Sequence, residues 1–210
     1  ETSSRQVLQT FTNIKKYSEL SKFLIARLVY NDGLITIFSF GGIYAAGTFE
    51  FTMEEIMVFA IVLNITAGIG AFSFGFLDDI IGGKKSIQLS NLGLILACMI
   101  AVLSPNEDLF ILSVPFAGEI MVNGKMMFWI SGILIGIFSG PNQAASRSLM
   151  ARFIPRGKEN EFFGFFAFSG KATAFIGPFM LGYMTSVFGS QRFGVAIVII
   201  FFILGFILLN

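Results

Sequence analysis

Apolar residues fall along the chain in six blocks, at about residues 23–47, 55–76, 86–104, 127–147, 161–184 and 192–210, with short polar stretches between them. Each block is about 17–25 residues long, enough as a helix rising ~1.5 Å per residue to cross a hydrocarbon layer ~30 Å thick. Glycines recur inside most blocks; they weaken a soluble helix but are common in membrane helices, where small residues let backbones approach. The pattern predicts an all-α, polytopic membrane protein with six transmembrane helices, preceded by a segment over residues 1–22. Composition agrees. Hydrophobic residues make up 55% of the chain, charged residues 13%, and the mean hydropathy is +0.80, against roughly 45–50% and about 25% in soluble domains.

The net charge of +1 conceals a strong asymmetry. With the N-terminus in the cytoplasm, one side of the membrane receives Arg5, Lys15, Lys16, Lys22, Arg27, Lys84, Lys85, Arg147, Arg152, Arg156 and Lys158. The other receives Lys125 and Arg192 with Glu50, Glu54, Glu55, Glu107, Asp108 and Glu119. Cytoplasmic loops are the Lys- and Arg-rich ones, so both ends of the chain are expected in the cytoplasm, as in a bacterial-type cytoplasmic membrane. No basic tract suggests nucleic acid. The single cysteine, Cys98, lies inside the third block, excludes an intrachain disulfide framework and reads as packing. No initiator Met or signal peptide opens the chain, and residues 201–210 are apolar almost to the last position; it reads as a fragment of a longer protein. Between blocks three and four, Asn123-Gly124 predicts a hairpin turn between residues 119–122 and 125–128; alternatively, residues 110–116 dip into the interface.

Polar groups at membrane depth are costly and usually face a partner or a watery path. Asn31, Asp32, Thr36 and Ser39 lie in the first block, and Asp32, Thr36 and Ser39 share a face at i, i+4, i+7. Lys171 lies in the fifth block, so Asp32 and Lys171 both sit roughly 14–15 Å in from the same side. Opposite charges at equal depth invite pairing, either to fix helix register or to line a cavity that binds solute or couples transport to a proton or cation. Asn64, Gly68, Ala71 and Gly75 share a face of the second helix, and Gly132, Gly136 and Gly140 make two G-x-x-x-G steps on the fourth. Both rows read chiefly as helix packing, with Asn64 able to contact substrate.

After the second block comes Gly75-Phe76-Leu77-Asp78-Asp79-Ile80-Ile81-Gly82-Gly83-Lys84-Lys85. Its glycines allow a tight reversal. Asp79 can pair with Arg147 or accept from a helix N-terminus, while Lys84 and Lys85 suit the cytoplasmic surface and anionic lipid. Such a pair can form in one access state and break in another; alternatively, all these charges are topology signals. The run G-x-L-x-D-x-x-G-x-K-K resembles the loop signature of major facilitators, with Ile80 and Gly83 where basic residues are usual. Four further runs, ARLVYNDG at 26–33, FGGIYAAG at 40–47, GPNQAASRSLMAR at 140–152 and FFGFFAFSGKAT at 162–173, are together similar to the second half of the vacuole-effluxer-like branch of that superfamily. The resemblance spans about residues 26–182. It implies one six-helix half of a twelve-helix carrier, a missing N-terminal half as partner, alternating access and efflux of small solutes, amino acids foremost. It places Asn142 and Gln143 with Asn31, Asp32, Thr36, Asn64 and Lys171 along the pathway. Gly75, Asp78, Asp79, Gly82, Lys84, Lys85 and Arg147 fall at a cytoplasmic gate.

Enzymatic readings find little support. The chain has no histidine, which removes Ser/His and Cys/His pairs and H-E-x-x-H zinc sites. Ser169 and Lys171 are two apart on a helix and point apart. No run calls for a cofactor or metal. The alternative to a carrier is a non-transporting membrane scaffold that uses its glycine rows to bind partners.

Overall fold

The computed structural model describes residues 18–105, 110–114, 118–154, 157 and 159–210. Its helices are α1 (Ser18–Phe49), α2 (Met53–Ile81), α3 (Gly83–Leu103), α4 (Gly124–Phe153), α5 (Glu159–Ser169), α6 (Ile176–Phe188) and α7 (Gln191–Leu208), with a hairpin of β1 (Phe110–Val114) and β2 (Gly118–Val122) before α4. Among the described residues five helices, α1, α2, α3, α4 and α7, are long and apolar enough to cross a membrane. The protein is an all-α, multi-pass membrane protein.

Several boundaries move. Helix α1 begins at Ser18 rather than residue 23, and α4 runs from Gly124 to Phe153 rather than 127–147, because helices continue through their polar flanks beyond the hydrocarbon. The expectations for residues 1–17, including Arg5, Lys15 and Lys16, and those for Glu107, Asp108, Arg156 and Lys158, lie outside the described residues. The largest correction concerns the fifth block, which is two helices. Residues 170–175 form consecutive turns, with Lys171 N–H bonding Phe168 O (2.9 Å) and Ile176 N–H bonding Thr173 O (2.7 Å) in i to i−3 steps. The hairpin predicted around Asn123-Gly124 is absent, because residues 125–128 are helical; the hairpin that forms is β1 with β2, antiparallel, Phe110 opposite Val122 and Val114 opposite Gly118. Asn123 is instead the N-cap of α4, its side chain accepting from Met126 N–H at 2.8 Å, which Asn does as readily as it makes turns.

Local chemistry sets the other ends. Thr52 caps α2 in a capping box: its hydroxyl accepts from Glu55 N–H (3.2 Å) and the Glu55 carboxylate accepts from Thr52 N–H (2.8 Å). Gly82 is the single residue between α2 and α3, at φ 84°, a conformation open chiefly to glycine.

In the bundle α4 packs against α2 on one side and α3 on the other, α3 also packs against α7, and α7 against α1 and α6. The glycine row of α4 faces α2. A Cβ on Gly132 would overlap the Phe59 ring, one on Gly136 Thr66 Oγ1, and one on Gly140 the carbonyl of Ala67. Pro141 lies inside α4; it leaves Ile137 O without its helical N–H, and that carbonyl lies against Gly70 of α2. The row expected on α2 packs differently: Gly68 and Gly75 have nothing within 4 Å and Asn64 is exposed. The packing face is Leu63, Thr66, Ala67 and Gly70, one step around the helix. At the acidic end Tyr44, Phe49, Phe51, Phe59, Phe128 and Trp129 form a continuous aromatic cluster joining α1, α2 and α4.

Candidate functional site: a polar layer at a broken helix

Around the break after α5 the segment bonds itself only in part, Phe166 O accepting from Gly170 N–H (3.3 Å) and Ser169 Oγ (2.9 Å), and the irregular backbone needs further partners in an apolar surrounding. Helix α1 supplies them. The Arg27 guanidinium donates from Nη1 to Phe166 O (2.6 Å) and Ser169 Oγ (2.8 Å) and lies 3.5 Å over the Phe166 ring. One turn on, Asn31 Nδ2 donates to Gly170 O at 2.7 Å. A cation at a helix C-terminus also complements the helix dipole. Arg27 and Asn31, at i and i+4, thus cap α5 from a neighbouring helix. Beyond the turns, Gly177 of α6 sits against Thr36 Oγ1 and Asp32 O.

The polar layer continues into α4 and α3. Tyr30 and Ser146 share a hydrogen bond between hydroxyls at 2.7 Å, Ser146 donates to Asn142 O at 2.5 Å, and Asn142 Nδ2 donates to Asn91 Oδ1 at 2.8 Å. Asn91 and Asn142 are fully buried, yet Asn91 Nδ2 and Asn142 Oδ1 have no partner. Beside them lies a cavity of about 30 Å³ lined by Arg27, Tyr30, Asn31, Asn142, Gln143, Ser146, Arg147 and Phe166. By helix rise from the basic ends of α3 and α4, Asn91 and Asn142 are roughly 12–16 Å deep.

The predicted pathway residues divide. Asn31, Asn142 and Gln143 meet in this layer. Asp32 is only 3% exposed and forms no ion pair with Lys171, which is exposed in the turns after α5. The expected pairing fails because the helix breaks there and Lys171 leaves the face that a continuous helix would have turned toward α1. The Asp32 carboxyl faces the Thr173 hydroxyl without a regular hydrogen bond. The Thr36 hydroxyl bonds back to Asp32 O at 2.7 Å. Asn64 bonds its own helix at Ala60 O (2.8 Å) and, with Thr36 and Ser39, lines a larger, mainly apolar cavity of about 540 Å³ between α1 and α2.

At the basic end it is Asp78, not Asp79, that is buried. Asp78 Oδ2 accepts from Ser148 Oγ (2.8 Å) and Arg152 Nη2 (3.4 Å) of α4. Its Oδ1, without a hydrogen-bond partner, faces Gly83 at the start of α3. Asp79 points outward and makes no ion pair among the described residues, so the expected pair with Arg147 is absent; Arg147 faces Arg27 instead. On α2, Asp78 falls on the side of Gly70 and Leu63, which α4 covers, whereas Asp79 is rotated about 100° away. Gly75 is open, Gly82 makes the turn, Lys84 donates to Asn210 O at 2.8 Å and Lys85 is exposed.

Sequence reasoning missed Arg27, Tyr30, Asn91, Ser146, Ser148 and Arg152 as site residues. Arg27 was counted only as a charge on the basic side, although its i, i+4 spacing to Asn31 marks a shared face. Asn91, like Asn142, is an amide inside an apolar block.

Residues 2–210 match the family described as vacuole effluxer Atg22 like. The chain is 25% identical over 207 residues to the uncharacterized MFS-type transporter YxiO of Bacillus subtilis, covering 99% of this chain and 44% of that protein. It is 27% identical over 182 residues to autophagy-related protein 22 of Cryptococcus neoformans (86% of this chain, 33% of the relative), and 27% over 178 residues to that of Candida glabrata (85% and 32%). The chain therefore spans less than half the length of these curated relatives. It belongs to the Atg22-like vacuole effluxer family, a branch of the major facilitators.

Proposed function

We propose that this chain is one six-helix half of a secondary-active carrier that moves a small solute across the membrane by alternating access, with amino-acid efflux as the activity. The observation that carries the reading is the fifth membrane element, broken at depth and capped from α1 by Arg27 and Asn31. Discontinuous helices of this kind are where carriers place binding sites, since free backbone is tolerated only where protein or a watery cavity receives it. The printed names of the relatives, an MFS-type transporter and a vacuole effluxer, support it, as does their greater length, which leaves room for a second half. The basic end faces the cytoplasm on this reading, by the charge asymmetry. Asp78 holds the α2–α3 turn to α4 as part of the gate there, and a proton or cation is coupled to the solute. The glycine row of α4 that a scaffold would offer to partners is occupied by α2, so nothing favours that alternative.

The test is counterflow of labelled amino acids into liposomes containing the full-length protein. The wild type exchanges at least one amino acid, and Asn31→Ala, which uncaps Gly170 O, lowers the rate at least tenfold while the protein still inserts. No exchange of any amino acid or small metabolite by the wild type refutes transport.

A further inference from the structure

Two cations meet beside the break after α5, and among the described residues no acid pairs with either. Arg27 of α1 and Arg147 of α4 face each other. Arg27 is held at the break itself: a Cβ on Gly170 would lie 2.8 Å from its Nη1. The three ion pairs among the described residues are Glu19–Lys22, Glu55–Lys125 and Asp78–Arg152, none of which involves this cluster. Asp32, the one acid at similar depth, is buried toward Thr173. Mutually repelling cations at membrane depth are costly unless a counter-charge is delivered.

The cavity between Arg27 and Arg147 has the makings of a site for that counter-charge. Tyr30, Gln143 and the buried Asn142, whose Oδ1 lacks a partner, also line it. Its volume of about 30 Å³ admits a group the size of one or two waters, which suits a carboxylate and is too small for a whole solute. Arg27 spends Nη1 on Phe166 O and Ser169 Oγ, whereas Arg147 forms no hydrogen bond or ion pair within the described chain. A free guanidinium fork is the group best matched to two carboxylate oxygens. The unpaired Asn142 Oδ1 accepts hydrogen bonds, which suits a donor carried next to the acid group.

We propose that Arg147, backed by Arg27, forms an anion subsite that recognises the carboxylate of the transported solute. The proposal rests on the transport reading above and deepens it: the solute must carry an acid group, and the remainder of the molecule lies outside this pocket.

The experiment uses the full-length protein in detergent and in liposomes. Thermal stabilisation is measured with the proteinogenic amino acids, each paired with its α-carboxamide, with inorganic phosphate, and with zwitterionic or anionic lipid vesicles added. Arg147→Gln is the principal variant, because Arg147 is exposed and caps nothing; Arg27→Gln, which also uncaps α5, is secondary. At least one amino acid is expected to stabilise the wild type while its carboxamide does not, with apparent Kd at least tenfold weaker in Arg147→Gln and an intermediate loss in Arg147→Lys. Equal binding of acid and carboxamide, or equal binding by wild type and Arg147→Gln, overturns the subsite. Stabilisation by anionic lipid or phosphate alone, without competition by any amino acid, also overturns it. Counterflow in the same liposomes separates the two readings. Flux of solutes lacking an acid group, unchanged in Arg147→Gln, defeats the subsite and leaves transport standing. Arg147-dependent binding without flux of any solute defeats transport and leaves the subsite.

Discussion

Replacing Asp78 by Asn keeps the side chain's shape and removes its charge, so the change reads out what that charge does at the basic end. Three partners lose by it. The Ser148 hydroxyl (2.8 Å) passes from a charged to a neutral acceptor, a loss of about 1 kcal/mol. Arg152, at 3.4 Å and with its side chain 49% exposed, contributes only ~0.2–1 kcal/mol after solvent screening. The start of α3, toward which Oδ1 points, adds ~0.3–1 kcal/mol. The total is roughly 1.5–3 kcal/mol, a shift of about ten- to a hundredfold in any equilibrium between the latched turn and an opened one. Leu149 reports the opening: it is 8% exposed, and its Cβ lies 3.1 Å from where a Cβ on Gly83 would be. Native Cys98 is buried and gives little background. Alkylation of Leu149→Cys in the full-length protein is therefore expected to accelerate about ten- to a hundredfold with Asp78→Asn and to stay within about twofold with Asp79→Asn, a surface change worth within about 0.5 kcal/mol. Equal acceleration by the two variants, or none with Asp78→Asn, would refute the assignment of the latch to Asp78.

Four further expectations follow from packing and hydrogen bonding. Gly136→Val and Gly140→Val force α2 and α4 apart and are expected to lose ~1–3 kcal/mol in reversible detergent unfolding, while Gly68→Ala, open to 4 Å, loses nothing and gains helix propensity. Asn142→Leu leaves Asn91 with neither polar atom paired and is expected to cost ~1–3 kcal/mol, much of which the double variant Asn91→Leu/Asn142→Leu recovers; thermal unfolding of the three variants checks this. Asn123→Ala removes the N-cap of α4 and is expected to lower stability by ~1 kcal/mol in the same assay. Lys125→Met breaks the surface pair with Glu55, and the denaturant midpoint should stay close to that of the wild type.

What could be read in the sequence was whatever depends on a period or a run. Apolar block length gave the membrane class and five of the six blocks as single helices. The G-x-x-x-G spacing of Gly132, Gly136 and Gly140 gave a packing face because the spacing alone puts all three residues on one side of a helix. The break at residues 170–175 could not be read that way. Its residues, Gly-Lys-Ala-Thr-Ala-Phe, are compatible with a membrane helix, and what stabilises the unwound form is the pair of donors on Arg27 and Asn31, 139 residues earlier in the chain. The same limit explains the errors around it. Depth counted along an uninterrupted helix set Lys171 opposite Asp32, and an unwound turn invalidates the count. Choosing between Asp78 and its neighbour Asp79 required the direction of each side chain relative to α4, which one residue of helix rotation reverses and a loop signature does not encode.

The two kinds of contact in this bundle divide it mechanically. Helices α2 and α4 meet backbone to backbone along Gly70, Gly136 and Gly140, and sliding one past the other would bring a side chain into a carbonyl at every step; such an interface has one good register and moves as a unit. Helix α3 is tied to α4 by the buried Ser131 hydroxyl on Ala97 O (2.8 Å) and by Asn91 on Asn142, and belongs to the same body. By contrast α5 is held to α1 by the Phe23–Phe166 stack and by directional polar bonds around one unwound stretch, where an N–H or guanidinium can exchange a carbonyl for a water or a solute oxygen at little net cost. If the chain moves when solute binds, the change falls at the α1–α5 contact, with α2, α3 and α4 as the frame. The Arg27 guanidinium then belongs to both the cap and the pocket: drawing it toward an anion beside Arg147 weakens its hold on Phe166 O, so occupancy of the pocket and the conformation of the broken helix are linked through one side chain.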